Sequence, residues 1–304
     1  KASQFEGTAD FNFCKLLAGS EGTLAFTTEI KLSLDPLPDP IEIVVAAHFE
    51  SIHESMKSAQ VAMKHEVTAV ELMDKIILDC TKESIEYSKN RYFVEGDPKA
   101  LLMIEFRGKT LEEAMAKGEA LVADLKAAGY GYAYPIIEPE KVASAWALRA
   151  AGLGLLGNIP GDPKAVACIE DTAVDISDLA DYIDELDGIL AGFNQNPVHY
   201  AHAGAGEIHM RPILDLKKAE DVEEFYQISL ASAKLVKKYQ GSLSGEHGDG
   251  RVRAAFIPMM VGEKNYQLFR RIKYTWDPKN IFNPGKIVDA APMNQFLRYE
   301  VGMQ

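Results

Sequence analysis

The stretch KALLMIEFRGKTLEEAMAKGEALVADLKAAG, residues 99–129, holds a strand followed by a helix. Its first part is a short apolar run. The part after it switches to apolar residues three and four apart. Thr110 stands at an N-cap position, Glu112 and Glu113 lie in the first turn, and Gly129 is placed to end the helix. Two earlier stretches repeat this order. IEIVVAAHF (41–49) leads into ESIHESMKSAQVAMKHE (50–66), and VTAVELMDKIILDCTKES (67–84) reads as a strand and then a helix. Each helix has one apolar stripe to lay on a sheet.

The pattern continues downstream. EKVASAWALRAAGLGLLGN (140–158) is helical up to its glycines, and VACIEDTAVDI (166–176) reads as a strand entering a loop. SDLADYIDELDGILAGF (177–193) is a helix capped by Ser177 or Asp178. NPVHYAHAGAGEIHMRPIL (196–214) reads as strand, turn, strand. DVEEFYQISLASAKLVKKYQG (221–241) and GEKNYQLFRRIKYTWDP (262–278) are helices stopped by Gly241 and Pro278. The expected class is α+β, with two halves sharing one largely antiparallel sheet. Ahead of all this, Leu24, Phe26, Thr28, Ile30, Leu32 and Leu34 take every second place, which predicts a strand or hairpin with one buried face. The prolines of DPLPDP (35–40) then set a boundary.

Composition narrows the function. The chain has 304 residues and a net charge of −13. Phosphate backbones are bound by clustered Lys and Arg, so nucleic acid and anionic membrane surfaces are poor partners. The three cysteines, Cys14, Cys80 and Cys168, lie far apart, which excludes a zinc ribbon, an iron–sulfur cluster or a disulfide framework within this chain and predicts buried free thiols in a reducing, cytoplasmic setting. Apolar runs are too short to span a bilayer, and no signal peptide is visible. The chain opens on KASQFEGTADF without an initiator Met, as a processed chain or a piece of a longer one does.

Two glycine-rich segments carry the candidate chemistry. In HYAHAGAGEIH (199–209), His202 and His209 flank Gly204 and Gly206. Residues seven apart on a straight strand point to opposite faces, but a glycine turn lets both imidazoles converge. In SGEHGDG (244–250), Glu246 completes a His202, His209, Glu246 set suited to a divalent ion, and His247 is a base near neutral pH. The competing reading is a solvated polar turn. Arg149 in WALR (146–149) suits a bidentate grip on a carboxylate, against the alternative of a surface arginine. GSEGTL (19–24) offers backbone N–H groups in a turn.

Taken together, LLAGSEGTLAFTTEIKLSLDPLP, WALR with IEDTAVDISDL, HAGAGEIH, SGEHGDGRVR and DPKNIFNPGKIV resemble the FAD-linked oxidases of the vanillyl-alcohol-oxidase superfamily. The nearest branch holds the glycolate oxidase flavoprotein subunit, D-lactate dehydrogenase and D-2-hydroxyglutarate dehydrogenase. The resemblance implies a duplicated ferredoxin-like cap domain beside a remnant of the FAD-binding domain. Residues 1–38 match the tail of that FAD domain, 39–270 the substrate-binding cap, and 271–304 a segment returning to the flavin. The N-terminal FAD subdomain of the family has no counterpart here, so a fragment that holds FAD weakly or not at all is expected.

The resemblance also implies roles. Gly19, Ser20, Glu21, Gly22 and Thr23 match a flavin-contacting turn, and Asn283 and Lys286 match the returning segment. His202, His209 and Glu246 match metal ligands, with zinc first among the candidate ions and Mn²⁺ or Fe²⁺ after it. Arg149 matches a binder of the substrate carboxylate, and His247 matches the base. The family stretch H-A-G-D-G-N-x-H departs twice here, with Ala205 for the Asp and Glu207 for the Asn. A carboxylate at Glu207 disfavours a second acidic group on the substrate. The implied reaction is oxidation of a D-2-hydroxy acid to a 2-keto acid. An iron–sulfur module is an implied electron-accepting partner, and it would place the protein at the periphery of a membrane. Two other classes stay open: an inactive regulatory or electron-transfer relative, and a flavin oxidase of another alcohol or an amine.

Overall fold

The computed structural model describes residues 12–82, 84–155 and 161–303. Residues 1–11, in the expected first domain, and 156–160, at the end of the expected 140–158 helix, lie outside them. The chain divides into two compact units: the described part of 1–34 with 246–296, and 35–245 with 297–303.

The first unit contains a short helix α1 (Cys14–Leu17). The alternating stretch after it is no strand: residues 24–34 pair with no other strand among the described residues. Leu24 is buried, whereas Phe26, Ile30, Leu32 and Leu34 are exposed. Alternation supplies an apolar face, but a ladder also needs a partner's N–H and C=O groups, and none is offered among the described residues.

The second unit begins with β1 (Ile41–Phe49), whose side chains are buried on both faces from Ile43 onward. Then follow α2 (Ile52–Ala62), β2 (Ala69–Asp74), α3 (Lys75–Lys82), β3 (Ala100–Gly108), α4 (Leu111–Ala128), β4 (Ile136–Ile137) and α5 (Pro139–Leu155). The α4 caps are those expected. Thr110 Oγ1 accepts from Glu113 N at 3.2 Å. Gly129, at φ 75°, donates its N–H to the carbonyls of Leu125 and Lys126. Next come β5 (Lys164–Ala165), β6 (Thr172–Ala173), α6 (Leu179–Gly192), β7 (Tyr200–His202), β8 (Glu207–Ile208), β9 (Ile213–Leu214) and α7 (Ala219–Lys238). The strand expected over 166–176 is only β6. Asp178 does cap α6 in position, but its side chain makes no capping bond. Asp175 holds the entry instead, accepting from Ser177 N and Oγ at 2.9 and 2.7 Å. The other unit contributes α8 (Ile257–Val261) and α9 (Glu263–Trp276).

Seven strands form one antiparallel sheet in the order β4-β1-β3-β2-β7-β8-β6. The first four follow the ferredoxin-like order of a βαββαβ unit. The second half repeats it: β6, α6, β7, β8 and α7 run in the same sequence, and Ser242 bridges Ala173 where a fourth strand belongs. The halves join at the β2–β7 pair, with Leu72 opposite Ala201 and Met73 opposite Tyr200. One face of β1 and β3 is covered by α2 and α4. On the other, Val44, Ala46, Met73, Leu101, Met103 and Tyr200 pack with Ile77 of α3 and Val142, Ala145 and Leu148 of α5.

The cysteines differ from expectation, since Cys14 and Cys80 are exposed and only Cys168 is buried. Among the described residues, no helix is long and apolar enough to cross a membrane.

A charged staple sits under the seam. Asp74 Oδ1 accepts from Ile77 N at the start of α3 (2.9 Å), and Asp74 Oδ2 accepts from His199 N (2.7 Å). His199 Nε2 lies 2.9 Å from Asp187 of α6. Burial opposes charge on this imidazole, but the carboxylates of Asp187 and Asp74 outweigh it and raise its pKa from the ordinary 6.5 to about 9. A raised folded pKa stabilises fully below the unfolded value and is lost as pH rises through the folded one. Denaturant midpoints are therefore expected to fall between about pH 6.5 and 9, and His199→Gln is expected to flatten that slope. An equal slope in the variant would remove His199 as its source.

Candidate active site

The glycine turn does what its spacing requires. Gly206, at φ 70°, closes a short 3₁₀ turn after β7, and β8 returns antiparallel with His202 opposite Glu207 and Ala201 opposite Ile208. Continued by one pair, this register sets Tyr200 opposite His209. Tyr200, His202, Glu207 and His209 therefore share the sheet face that packs on α5. The two imidazoles meet edge to face with ring centroids 5.0 Å apart. His209 is buried, and its Nε2 lies 3.7 Å from Glu207 Oε1.

Helix α5 brings Arg149 to the same face. Its guanidinium stacks on the Tyr200 ring, 4.1 Å from the centroid, and the Tyr200 hydroxyl donates to the Arg149 carbonyl at 3.1 Å. Burial pushes the Tyr200 phenol up, against the pull of Arg149. Arg149 also pairs with Glu71 of β2. The same carboxylate lies 2.8 and 2.9 Å from His202 Nδ1. The Arg149 Nε is buried and has no hydrogen-bond partner among the described residues. Such a group is costly to leave unmet, which suits a site that receives an anion.

Gly245 closes against this face from the chain's other side. Its N–H donates to the Asp171 carbonyl at 2.7 Å, and a Cβ placed on it would lie 2.7 Å from the Glu207 carboxyl carbon. A side chain there would require the Glu207 carboxylate to shift. Glu246 follows it directly and is the first residue of the other unit.

In that other unit Glu246 and His247 are both about half exposed, with His247 Nε2 3.1 Å from Glu246 Oε1. The turn at Gly19–Thr23 is held from within. Ser20 Oγ donates to the Leu17 carbonyl and Thr23 Oγ1 to the Ser20 carbonyl. Glu21 accepts from the N–H groups of Asp249 and Gly250 at 2.6 and 2.9 Å, and Asn283 Nδ2 donates to the Glu21 carbonyl at 2.7 Å. Lys273 Nζ, also buried, donates to the carbonyls of Thr23 and Phe282 and to Asp277. The side chains of Glu21 and Asn283 thus clamp three segments together. Around Gly19 and Gly22 an added Cβ would meet nothing within 4 Å, so backbone there is open to a ligand's approach. Lys286 is half-buried in the segment that Asn283 anchors.

The structure therefore brings His202, His209, Glu207 and Arg149 onto one face. It places Glu246 with His247, and it gathers Glu21 and Asn283 at a third place. Glu71 and Tyr200 join the site without having been singled out from the sequence. The alternation of VTAVELMD carried a hint, since Glu71 is an acidic residue in the interior of an otherwise apolar strand. Nothing local says which strand lies beside it.

The donor set fits a divalent ion. His202 carries a carboxylate on Nδ1, the partner that orients metal-ligating imidazoles. The open backbone at Gly19 and Gly22 fits a flavin's approach.

Among curated proteins, the chain is 33% identical over 285 residues to the D-2-hydroxyglutarate dehydrogenase of Pseudomonas putida, covering 91% of this chain and 28% of that protein. It is 28% identical over 290 residues to the glycolate oxidase subunit GlcD of Bacillus subtilis, covering 92% of this chain and 57% of that one. The chain thus spans less than two thirds of the length of either. Among solved structures, the 4-ethylphenol oxidase of Gulosibacter chungangensis superposes with a TM-score of 0.59 at 14% identity, over 82% of this chain and 54% of that one, a likeness of fold alone. The family described as FAD linked oxidases, C-terminal domain, matches residues 40–287, a range that takes in the whole seven-stranded sheet and both glycine-rich segments. On that match, the chain belongs to the FAD-linked oxidase C-terminal domain family.

Proposed function

We propose that the protein oxidises a D-2-hydroxy acid to the 2-keto acid, using FAD and a bound divalent ion. The observation that carries this reading is the single sheet face on which a buried guanidinium with an unmet N–H stands beside two converging imidazoles. The names of the relatives, D-2-hydroxyglutarate dehydrogenase and glycolate oxidase subunit, support the substrate class.

When bound, FAD supplies the two-electron acceptor for the Cα hydride, and a divalent ion supplies Lewis acidity toward the substrate hydroxyl. His202, His209 and Glu246 would hold the ion. Gly245, packed on Glu207, immediately precedes Glu246 in the chain. Imidazole and carboxylate donors suit Zn²⁺, with Mn²⁺ and Fe²⁺ as alternatives. Arg149 would bind the substrate carboxylate through the N–H groups that Glu71 leaves. His247 would take the hydroxyl proton. The turn Gly19, Ser20, Glu21, Gly22, Thr23 and the segment of Asn283 and Lys286 would serve the flavin, Glu21 and Asn283 by holding the backbone in shape. Residues 1–38 and 271–304 would belong to the FAD-binding domain, with the cap between them. An iron–sulfur module elsewhere in the full protein would accept the electrons.

Glu207 shapes the substrate choice. A buried carboxylate beside the site repels a second acidic group, so D-lactate and glycolate rank ahead of D-2-hydroxyglutarate. The same carboxylate favours a second reading, a flavin oxidase of an amine. Anaerobic flavin bleaching in the full-length protein decides between them. Bleaching by a 2-hydroxy acid is expected. Bleaching by amines alone would establish the second reading, and none with any member of the panel would remove both.

A further inference from the structure

We infer that Glu71 is a positioning residue that serves the metal-binding imidazole and the substrate-binding guanidinium at once. The inference rests on the reading of His202 as a metal ligand and Arg149 as the carboxylate binder. The juxtaposition itself stands on the geometry of the second unit alone.

The β2–β7 register pairs Leu72 with Ala201 and Met73 with Tyr200. The next pair in that ladder is Glu71 with His202, so the carboxylate faces the imidazole across the seam between the two ferredoxin-like halves. Its oxygens lie 2.8 and 2.9 Å from His202 Nδ1. Arg149, from the helix that links the halves, pairs with the same group. Both side chains are mostly buried, Arg149 at 12% and Glu71 at 13% exposure, so the pairing is shielded from solvent.

This arrangement has two consequences. A carboxylate accepting from Nδ1–H fixes the tautomer of His202, turns its Nε2 into the lone-pair donor and raises its basicity, and loss of such a partner typically weakens metal affinity 10–100-fold. The same carboxylate restrains Arg149 on the Tyr200 ring with its plane fixed, so the guanidinium is oriented before substrate arrives. Glu71 would touch neither metal nor substrate. It would couple the two groups that do, one from each side of the seam.

The test uses the full-length protein and the variants Glu71→Gln and Glu71→Asp. The wild type is measured first, for zinc stoichiometry, for zinc dissociation constant by chelator competition, and for KM and kcat with D-lactate. Glu71→Gln keeps the shape but loses the charge and one of the two acceptor oxygens that serve His202 and Arg149. Its expected result is zinc binding weakened at least about tenfold, together with a raised KM. Glu71→Asp keeps the charge with a shorter reach and is expected to fall between the two, and it carries the test if the glutamine variant does not fold. A folded variant whose zinc affinity and KM both stay within about twofold of wild type would overturn the role of Glu71 alone. A wild type that binds no zinc, Mn²⁺ or Fe²⁺ would instead overturn the metal reading on which it rests.

Discussion

If His202 ligates a divalent ion as proposed, replacing it by alanine in the full-length protein is expected to remove that ion and lower kcat/KM for the 2-hydroxy acid about a thousandfold. That factor corresponds to about 4 kcal/mol of lost transition-state stabilisation, the scale of Lewis-acid assistance to a developing alkoxide. The fold should survive. His202 is at the mouth of the hairpin and partly exposed, and Glu71 keeps Arg149 as its partner when the imidazole is gone. Glu246→Ala should act in the same direction. Metal analysis and steady-state kinetics on both variants give the answer, and unchanged metal content with unchanged turnover in both would end the metal assignment.

Gly206→Ala is expected to be the most damaging single methyl in the site, at about 3–5 kcal/mol of stability. Two costs add. An L-residue at φ 70° is disfavoured by about 1–2 kcal/mol. The new Cβ would also lie 2.1 Å from the Val174 carbonyl oxygen, a backbone atom that cannot step aside. Relief requires β6 to move away, which breaks the bond from Val174 N to the Gly206 carbonyl (2.9 Å). The hairpin that sets His202 against His209 would loosen with it, so metal affinity should fall in parallel. Gly204→Ala is the internal comparison. There a Cβ would meet the Met63 sulfur and the Val70 Cβ at 3.2 Å, contacts that need a shift of only a few tenths of an ångström. Urea unfolding should rank the two clearly, and a loss below about 1 kcal/mol for Gly206→Ala would contradict this account.

Much of the fold was legible because its signals are local. The caps of α4 at Thr110 and Gly129 and the apolar runs of β1 and β3 each follow from a few consecutive residues, whereas α7 ends at Lys238, with Gln240 rather than Gly241 in the left-handed region. The turn between His202 and His209 was legible for the same reason, since two glycines within five residues leave little else for the chain to do. The alternating stretch from Leu24 to Leu34 shows the limit. Its period was strand-like, but period describes only which side chains share a face and says nothing about a partner. The strand over 166–176 shortened to two residues for a related cause: Asp171, at φ 76°, breaks the extended run to receive Gly245 and Ser244.

By itself, the sequence determined the α+β class, the place of the hairpin and which side chains carry metal- or acid-binding chemistry to be tested. Backbone propensity, capping and side-chain chemistry act over a few residues, and they were sufficient for these. Only the tertiary structure decided that the ferredoxin-like units meet at β2 and β7, that this register sets Glu71 opposite His202, and that α5 lowers Arg149 onto the same carboxylate. Those pairings join residues 71, 149 and 202 across three elements. Such contacts are set by strand register and helix packing over the whole domain, which no local run of residues encodes.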